Sequence, residues 1–188
     1  SILFVLGIFY ILNTKIGSLP ALGRFLNPVS GIWQNEKNET ISDEIEIPGL
    51  IEKVTIHYDK QMVPHVFAKN NHDLYKAQGY LTAKHRLWQL EFQTHAAAGR
   101  LSEILGDVAV NYDRTQRRIG MVYGAEQGLK YMEKYDRKTL RFVNDYTDGV
   151  NAYINQLESK NYPIEYKLLD YSPEKWTPKK SALLLMYM

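Results

Sequence analysis

Histidine is the first residue type to consider for chemistry in this sequence, because the chain contains five histidines and no cysteine. His72, His85 and His95 all lie in one stretch that is predicted to be helical. A helix-borne zinc site needs two histidines one turn apart, as in His-Glu-x-x-His, and no such pair exists here. We therefore expect no metal ligand in this chain, and the lack of cysteine also excludes a thiolate site, a disulfide and a cysteine nucleophile.

The spacing of His85 and His95 predicts that both lie on one apolar helix face, because Leu81, His85, Trp88, Phe92 and His95 advance by three and four residues. A histidine on such a face is more often held by hydrogen bonds than used as a base. We interpret both as structural residues, with a general base as the alternative.

Other catalytic signatures are missing from the sequence. It has no glycine-rich phosphate loop and no Gly-x-Ser-x-Gly element. Ser102, within Gly99-Arg-Leu-Ser-Glu103, is better explained by local capping than by nucleophilic chemistry. We predict no catalytic residue in this chain.

Bulk composition narrows the class of protein. The 188 residues are 45% hydrophobic, enough for one domain or part of a larger one. Lys and Arg total 23 against 21 Asp and Glu, a net charge of +2, and the basic residues are scattered. We therefore expect no nucleic acid partner.

Residues 1–12 form an uncharged apolar run, shorter than the roughly 20 residues that cross a bilayer. We interpret the run as a truncated signal anchor or signal peptide, with a buried core helix as the alternative. It predicts a periplasmic protein, or one anchored to the membrane through residues 1–12 and facing the periplasm.

Residues 13–50 are rich in helix breakers and predict a linker, after which the compact region begins at residue 51. Val54, Ile56 and Tyr58 alternate with polar residues and predict a half-buried strand. A second short strand is predicted over residues 63–68, with Pro64 at an edge or first position. Together they predict a β-hairpin.

Helices are predicted for most of the rest, so the fold class is α+β. Asn70 is a candidate N-cap and Gly99 a candidate stop, followed by a short helix over residues 100–105 that Gly106 closes. Leu140 to Leu157 predict an amphipathic helix interrupted by Gly149. Thr177 and Pro178 predict the start of a last helix.

Several motifs together resemble the penicillin acylases, also called penicillin amidases. The likeness runs in colinear order over residues 51–188. It is carried by these segments: Val54-Thr-Ile-His-Tyr-Asp59, Val63-Pro-His-Val-Phe-Ala68, His72-Asp-Leu-Tyr-Lys-Ala-Gln-Gly-Tyr80, Ala83-x-x-Arg86-Leu-Trp-Gln89, Ala98-Gly-Arg-Leu-Ser-Glu103, Gly149-Val-Asn-Ala-Tyr153 and Tyr171-Ser-Pro-Glu-Lys-Trp-Thr-Pro178.

The resemblance implies an N-terminal nucleophile hydrolase of αββα architecture, made as one precursor and cut into an α and a β chain. This chain would be an α-chain portion, inactive alone, with the nucleophile on a β chain from the same precursor. Its substrate would be a small acyl-amide, such as the side chain of penicillins or an N-acyl homoserine lactone. Calcium is a candidate cofactor of the full-length enzyme, with no ligand in this chain.

The resemblance also implies one substrate-binding residue, Met188, at a position that contacts the acyl group in the family; ordinary core packing is the alternative. Three departures from the family pattern stand out. Met62 replaces a glycine, which predicts a differently built turn. Lys84-His85-Arg86 replaces Gln-Asp-Arg, and Thr94-His95 replaces the usual basic pair. The rival hypothesis is a membrane-tethered binding module that keeps the fold without activity.

Overall fold

A computed structural model of the protein describes residues 2–16, 20–35 and 44–188, so parts of the predicted signal segment and linker lie outside the described residues. The described part is mostly helical with one antiparallel hairpin, which confirms the predicted α+β class. Its strands are β1 (Thr55–Tyr58) and β2 (Pro64–Phe67). Its helices are α1 (Ile2–Asn13), α2 (Asn71–Ala98), α3 (Ser102–Leu105), α4 (Val110–Ile119), α5 (Met121–Tyr135), α6 (Arg137–Gln156), α7 (Ile164–Leu168) and α8 (Pro178–Tyr187).

Helix α1 is apolar along its whole length, and none of its side chains is buried. Within the described ranges, no helix combines the length and the apolar character needed to cross a bilayer. Membrane attachment through residues 1–12 stays a prediction.

The hairpin follows the predicted alternation, with Ile56 and Tyr58 half-buried and their neighbours exposed. Ile56 pairs with Val66, and Tyr58 pairs with Pro64, the first residue of β2. Met62 holds a φ of 61°, so the expectation of a differently built turn was wrong. The Asp59 carboxylate fixes the turn because it accepts the backbone N–H groups of residues 61 and 63 at 2.8 and 2.9 Å.

Helices α2 and α6 cross so closely that their backbones touch. A Cβ at Gly79 would lie 2.1 Å from the Tyr146 carbonyl oxygen, and one at Gly149 would lie 2.0 Å from the Lys76 carbonyl oxygen. Gly149 does not interrupt α6, which runs unbroken from Arg137 to Gln156. The prediction of an interruption was therefore wrong, because this glycine permits close packing instead of ending a helix.

Helix α2 has the predicted ends. Asn70 accepts the Asp73 N–H at its start, and Gly99 adopts a left-handed conformation at its end. In its middle, Arg86 departs from helical geometry (φ −144°, ψ 26°), which kinks the helix. The kink separates the two histidines that were expected on one face: His95 is buried and His85 is exposed.

The turn after α2 is held by Asp113 of α4. Its buried carboxylate accepts the backbone N–H groups of Leu101 and Ser102 at 2.9 and 2.8 Å, and the Ser102 hydroxyl at 2.5 Å. Ser102 thus has a structural role, but the expected capping was wrong, because Ser102 is the first residue of α3 and its hydroxyl donates to Asp113.

Residues 47–52 lie against the start of α2. Ile47 is buried against Ala77 and Tyr80, and the buried Asp73 carboxylate accepts the backbone N–H groups of residues 51 and 52 at 2.8 and 2.9 Å. His72 joins this segment to α6, because its Nε2 lies 3.2 Å from the Gly49 carbonyl oxygen and its Nδ1 lies 2.7 Å from Asp145 Oδ1. Both partners are acceptors only, so the geometry favours the doubly protonated ring.

The close approach of α2 and α6 at Gly79 can be tested by substitution. We expect Gly79→Ala to lower the free energy of unfolding by about 3 kcal/mol, because the new methyl group meets a backbone carbonyl that cannot rotate away. Gly128→Ala on α5 is the matched control, since a Cβ there meets nothing within 4 Å, and it should raise stability by about 0.5–1 kcal/mol. Thermal unfolding of both variants measures the difference; equal melting temperatures would contradict the crossing.

The His72 contacts predict a pH dependence. Burial acts to lower the pKa of His72, but its bonds to the Gly49 carbonyl and the Asp145 carboxylate outweigh burial and raise the pKa above 6.5. The stabilisation is therefore complete below the unfolded-state pKa and is lost as pH rises through the folded-state pKa. Melting temperatures measured from about pH 6 to about pH 9 should fall more steeply in the wild type than in His72→Gln. His57→Gln, at an exposed position of β1, should keep the wild-type slope.

Candidate functional site

Helix α8 directly precedes Met188, the one residue predicted to bind substrate. It begins as predicted, with Thr177 as N-cap, whose side chain accepts the Lys180 N–H, and with Pro178 at the first helical position. Leu183 is buried, whereas the last turn is exposed. Met188 follows α8 and is 92% exposed among the described residues.

The extended segment before α8 is attached to α6 through Asn151. The Asn151 carboxamide donates to the Trp176 carbonyl oxygen at 3.0 Å and accepts the Trp176 N–H at 2.8 Å. The buried Trp176 ring donates from Nε1 to the Ser181 hydroxyl at 2.9 Å. Both flanks of the start of α8 are therefore fixed.

A buried carboxylate on α2 holds the same segment from the other side. Glu91 is 1% exposed, and its Oε1 accepts the Glu174 N–H at 2.8 Å while its Oε2 accepts the Tyr166 hydroxyl. Burial and the charge of Glu91 raise the pKa of Tyr166 far above its ordinary value, so Tyr166 stays a donor. Lys180 Nζ lies 3.5 Å from Glu91 Oε1 and 2.9 Å from Glu174 Oε2.

Arg100 completes this charged cluster. Its guanidinium donates to both oxygens of Glu174, at 2.8 and 3.3 Å, and also to Glu103. Burial acts to raise the pKa of Glu174, but the contacts from Arg100 and Lys180 outweigh burial and hold the pKa well below its usual range. Glu174 is therefore an anion at any physiological pH.

His95 lies beside this cluster with both ring nitrogens occupied. Nδ1 lies 2.9 Å from the Glu91 carbonyl oxygen, which can only accept, so Nδ1 carries a proton. Nε2 lies 3.1 Å from the Tyr171 hydroxyl, which can donate to it. Glu174 Oε1 also lies 3.7 Å from Nε2, and this buried, hydrogen-bonded position is the structural role that we favoured for His95.

Glu91, His95 and Glu174 lie close enough to share a cation, since one ligand atom of each falls within 4.8 Å of the others. The donor chemistry argues against a metal, because Lys180 and Arg100 already supply positive charge to these carboxylates. A divalent ion would have to displace both. The cluster is better described as a salt-bridge network that positions α8.

A cavity of about 720 Å³ opens next to this network, between the end of α2, the start of α5 and the base of α8. Arg100, Glu174 and Lys180 lie on its wall, together with apolar side chains such as Met121 and Leu183. Met188 does not line this cavity, so the predicted binding residue and the cavity are separate features of α8. His85 lies elsewhere, with its Nε2 3.0 Å from the Tyr58 hydroxyl.

The network can be tested at its most buried member. We expect Glu91→Gln to lower the free energy of unfolding by about 3 kcal/mol, because it leaves Lys180 near a neutral amide in a desolvated site. Glu133→Gln, at an exposed position of α5, should change stability by less than about 0.5 kcal/mol. Thermal unfolding compares the two; a Glu91→Gln protein as stable as the control would show that the charge is dispensable.

Comparison with known proteins places the chain in a family. The penicillin amidase family model matches residues 53–188. Penicillin acylase 2 proenzyme of Pseudomonas sp. (strain SE83) is 34% identical over 145 residues, which cover 77% of this chain and 18% of that protein. Acyl-homoserine lactone acylase QuiP of Pseudomonas aeruginosa is 34% identical over 138 residues, which cover 73% of this chain and 16% of that protein.

A solved structure agrees with the sequence matches. The thermostable penicillin G acylase from Alcaligenes faecalis superposes with a TM-score of 0.64 and 28% identity, covering 73% of this chain and 72% of that chain. The present chain spans less than a fifth of the length of the two relatives above. From its colinear motifs, its family match and its fold, the chain belongs to the penicillin amidase family.

Proposed function

We propose that this chain is the α-chain portion of an exported acylase that hydrolyses a non-peptide amide bond between an acyl group and an amine. The single observation that carries the proposal is the match of residues 53–188 to a family whose similar members include a penicillin acylase proenzyme and an acyl-homoserine lactone acylase. The side chain of penicillins and N-acyl homoserine lactones are accordingly the substrate classes that we propose.

The contacts of two candidate residues in this chain bear on which chain carries the nucleophile. His95 is hydrogen-bonded to the Glu91 carbonyl and the Tyr171 hydroxyl, and Ser102 donates to the Asp113 carboxylate that holds the turn after α2, so we give both residues structural roles. We assign the nucleophile to a β chain cut from the same precursor. Calcium, if the enzyme uses it, would be bound outside this chain.

Met188 is the proposed acyl-contacting residue. The base of α8 is fixed by the Glu91 network and by Asn151, while Leu185, Met186 and Met188 are exposed at its other end. An apolar, adaptable side chain on a rigid base suits the wall of an acyl pocket.

Export rests on residues 1–12. An exposed apolar helix at Ile2–Asn13 supports a signal anchor or signal peptide, and hence a periplasmic location or membrane attachment. Both are proposals.

The full-length protein tests the proposal. Purified from cells, it should run as two chains, and mass spectrometry should detect amine release from penicillin G or from octanoyl homoserine lactone. Replacing the first residue of the larger chain by alanine should abolish hydrolysis while leaving the fold intact. An uncut protein that releases no amine would favour the rival, a membrane-tethered binding module without activity.

The same assay examines Met188. Met188→Ala should change the ratio of kcat/KM for long and short acyl groups by about tenfold, because hydrophobic pockets discriminate by roughly that factor per group. Tyr135→Ala, an exposed position of α5, is the control and should leave the ratio unchanged. Unchanged selectivity in Met188→Ala would remove Met188 from the acyl pocket and leave the proposed reaction class intact.

A further inference from the structure

A second cleft, of about 680 Å³, lies between the tip of the hairpin and the middle of α2. It is distant in sequence from α8 and shares no lining residue with the cavity at the base of that helix. The motif Ala83-x-x-Arg86-Leu-Trp-Gln89 places Arg86 and Gln89 on its wall. The proposed reaction gives neither side chain a role.

Two of the residues that line this cleft have unusual backbone angles. Met62 holds a φ of 61°, which is costly for a residue with a side chain, and Arg86 interrupts the helical geometry of α2. Strained positions of this kind often occur at ligand-binding sites. Both residues line the cleft.

The cleft has an apolar side and a cationic side. Val63, Pro64, Val66 and the buried Leu81 supply apolar surface, and Met62 adds a flexible side chain. Arg86 supplies a permanent positive charge, and the residues lining the cleft include no Asp or Glu. This polarity would suit a ligand with an apolar body and an anionic end.

Arg86 has unused donor capacity for such a ligand. In the part of the chain that the structure describes, its one side-chain hydrogen bond runs from Nη1 to Gln89 Oε1 at 3.2 Å, and no carboxylate lies within ion-pair distance. A guanidinium presents five N–H donors in a planar fork that matches a carboxylate.

We propose that this cleft binds a small apolar monocarboxylate, with the carboxylate on Arg86 and the apolar body between the hairpin tip and Leu81. The site is separate from the proposed acyl pocket, and binding there requires no hydrolysis. A fatty or aromatic acid of about ten heavy atoms fits a cleft of this size.

Isothermal titration calorimetry of the full-length protein with decanoate tests the proposal, with decyltrimethylammonium as the cationic counterpart. Decanoate should bind and decyltrimethylammonium should not. Arg86→Gln should weaken decanoate binding at least about tenfold, since a charge-assisted hydrogen bond is lost. Arg118→Gln, which removes an equal charge at an exposed position of α4 outside the cleft, should leave binding unchanged.

Gln78→Glu provides a second variant in case Arg86→Gln does not fold. Gln78 is exposed and lines the cleft, so a carboxylate there should repel decanoate and weaken binding by a similar factor. Absence of decanoate binding, binding that neither variant weakens, or an equal loss in Arg118→Gln would each overturn the proposal. Decanoate also resembles the acid product of the proposed reaction, so decanoate binding that is lost in Met188→Ala and kept in Arg86→Gln would belong to the acyl pocket and would overturn the proposal for the cleft.

Discussion

The contact between the backbones of α2 and α6 is the constraint on which the remaining packing depends. At Gly79 and Gly149 each helix presents a glycine to a carbonyl of the other, so no side chain separates them. Helix α2 also contacts β2, α4, α5 and α8, and its distance from α6 therefore sets where each of these elements lies. A methyl group at the crossing would displace the elements on both sides of α2.

The charged cluster around Glu91 links α2 to the start of α8. Burying ions is costly, and two carboxylates facing two cations recover much of that cost without a clear surplus. The cluster also fixes the orientation of the segment before α8, because Glu91 accepts the Glu174 N–H and the Tyr166 hydroxyl. The base of α8 is therefore held by directional bonds, while its other end is exposed. The two ends of one short helix thus differ physically among the described residues, with a fixed base and an exposed last turn.

The elements that the sequence predicted are those with local causes. The hairpin, the Asn70 cap, the Gly99 stop and the start of α8 follow from residue types a few positions apart, and the structure contains them all. Helices α4 and α5 were not predicted. The buried positions of α4 are Asp113 and Gln116, so this helix has almost no apolar stripe to detect. The kink at Arg86 has neither proline nor glycine nearby, so no local sequence signal indicates it.

The candidate site was less predictable for the same reason. Glu91 contacts a segment 83 residues away, and no sequence period joins the two. One signal was present: an acid in register with Leu87 and Thr94 on a buried helix face implies a polar partner from elsewhere. That signal predicts a partner without identifying it.

The pair of hydrogen bonds between Asn151 and Trp176 has a chemical consequence. The carboxamide makes the two bonds that a neighbouring peptide would make in an antiparallel sheet, so one side chain substitutes for a strand. Slow deamidation, to which asparagine is prone as proteins age, would replace the donor by a carboxylate oxygen. The Trp176 carbonyl would then face a negative charge in place of an N–H group. That change would weaken one of the two attachments of the segment before α8 and leave the one that Glu91 makes, in a protein for which we propose amide cleavage as the function.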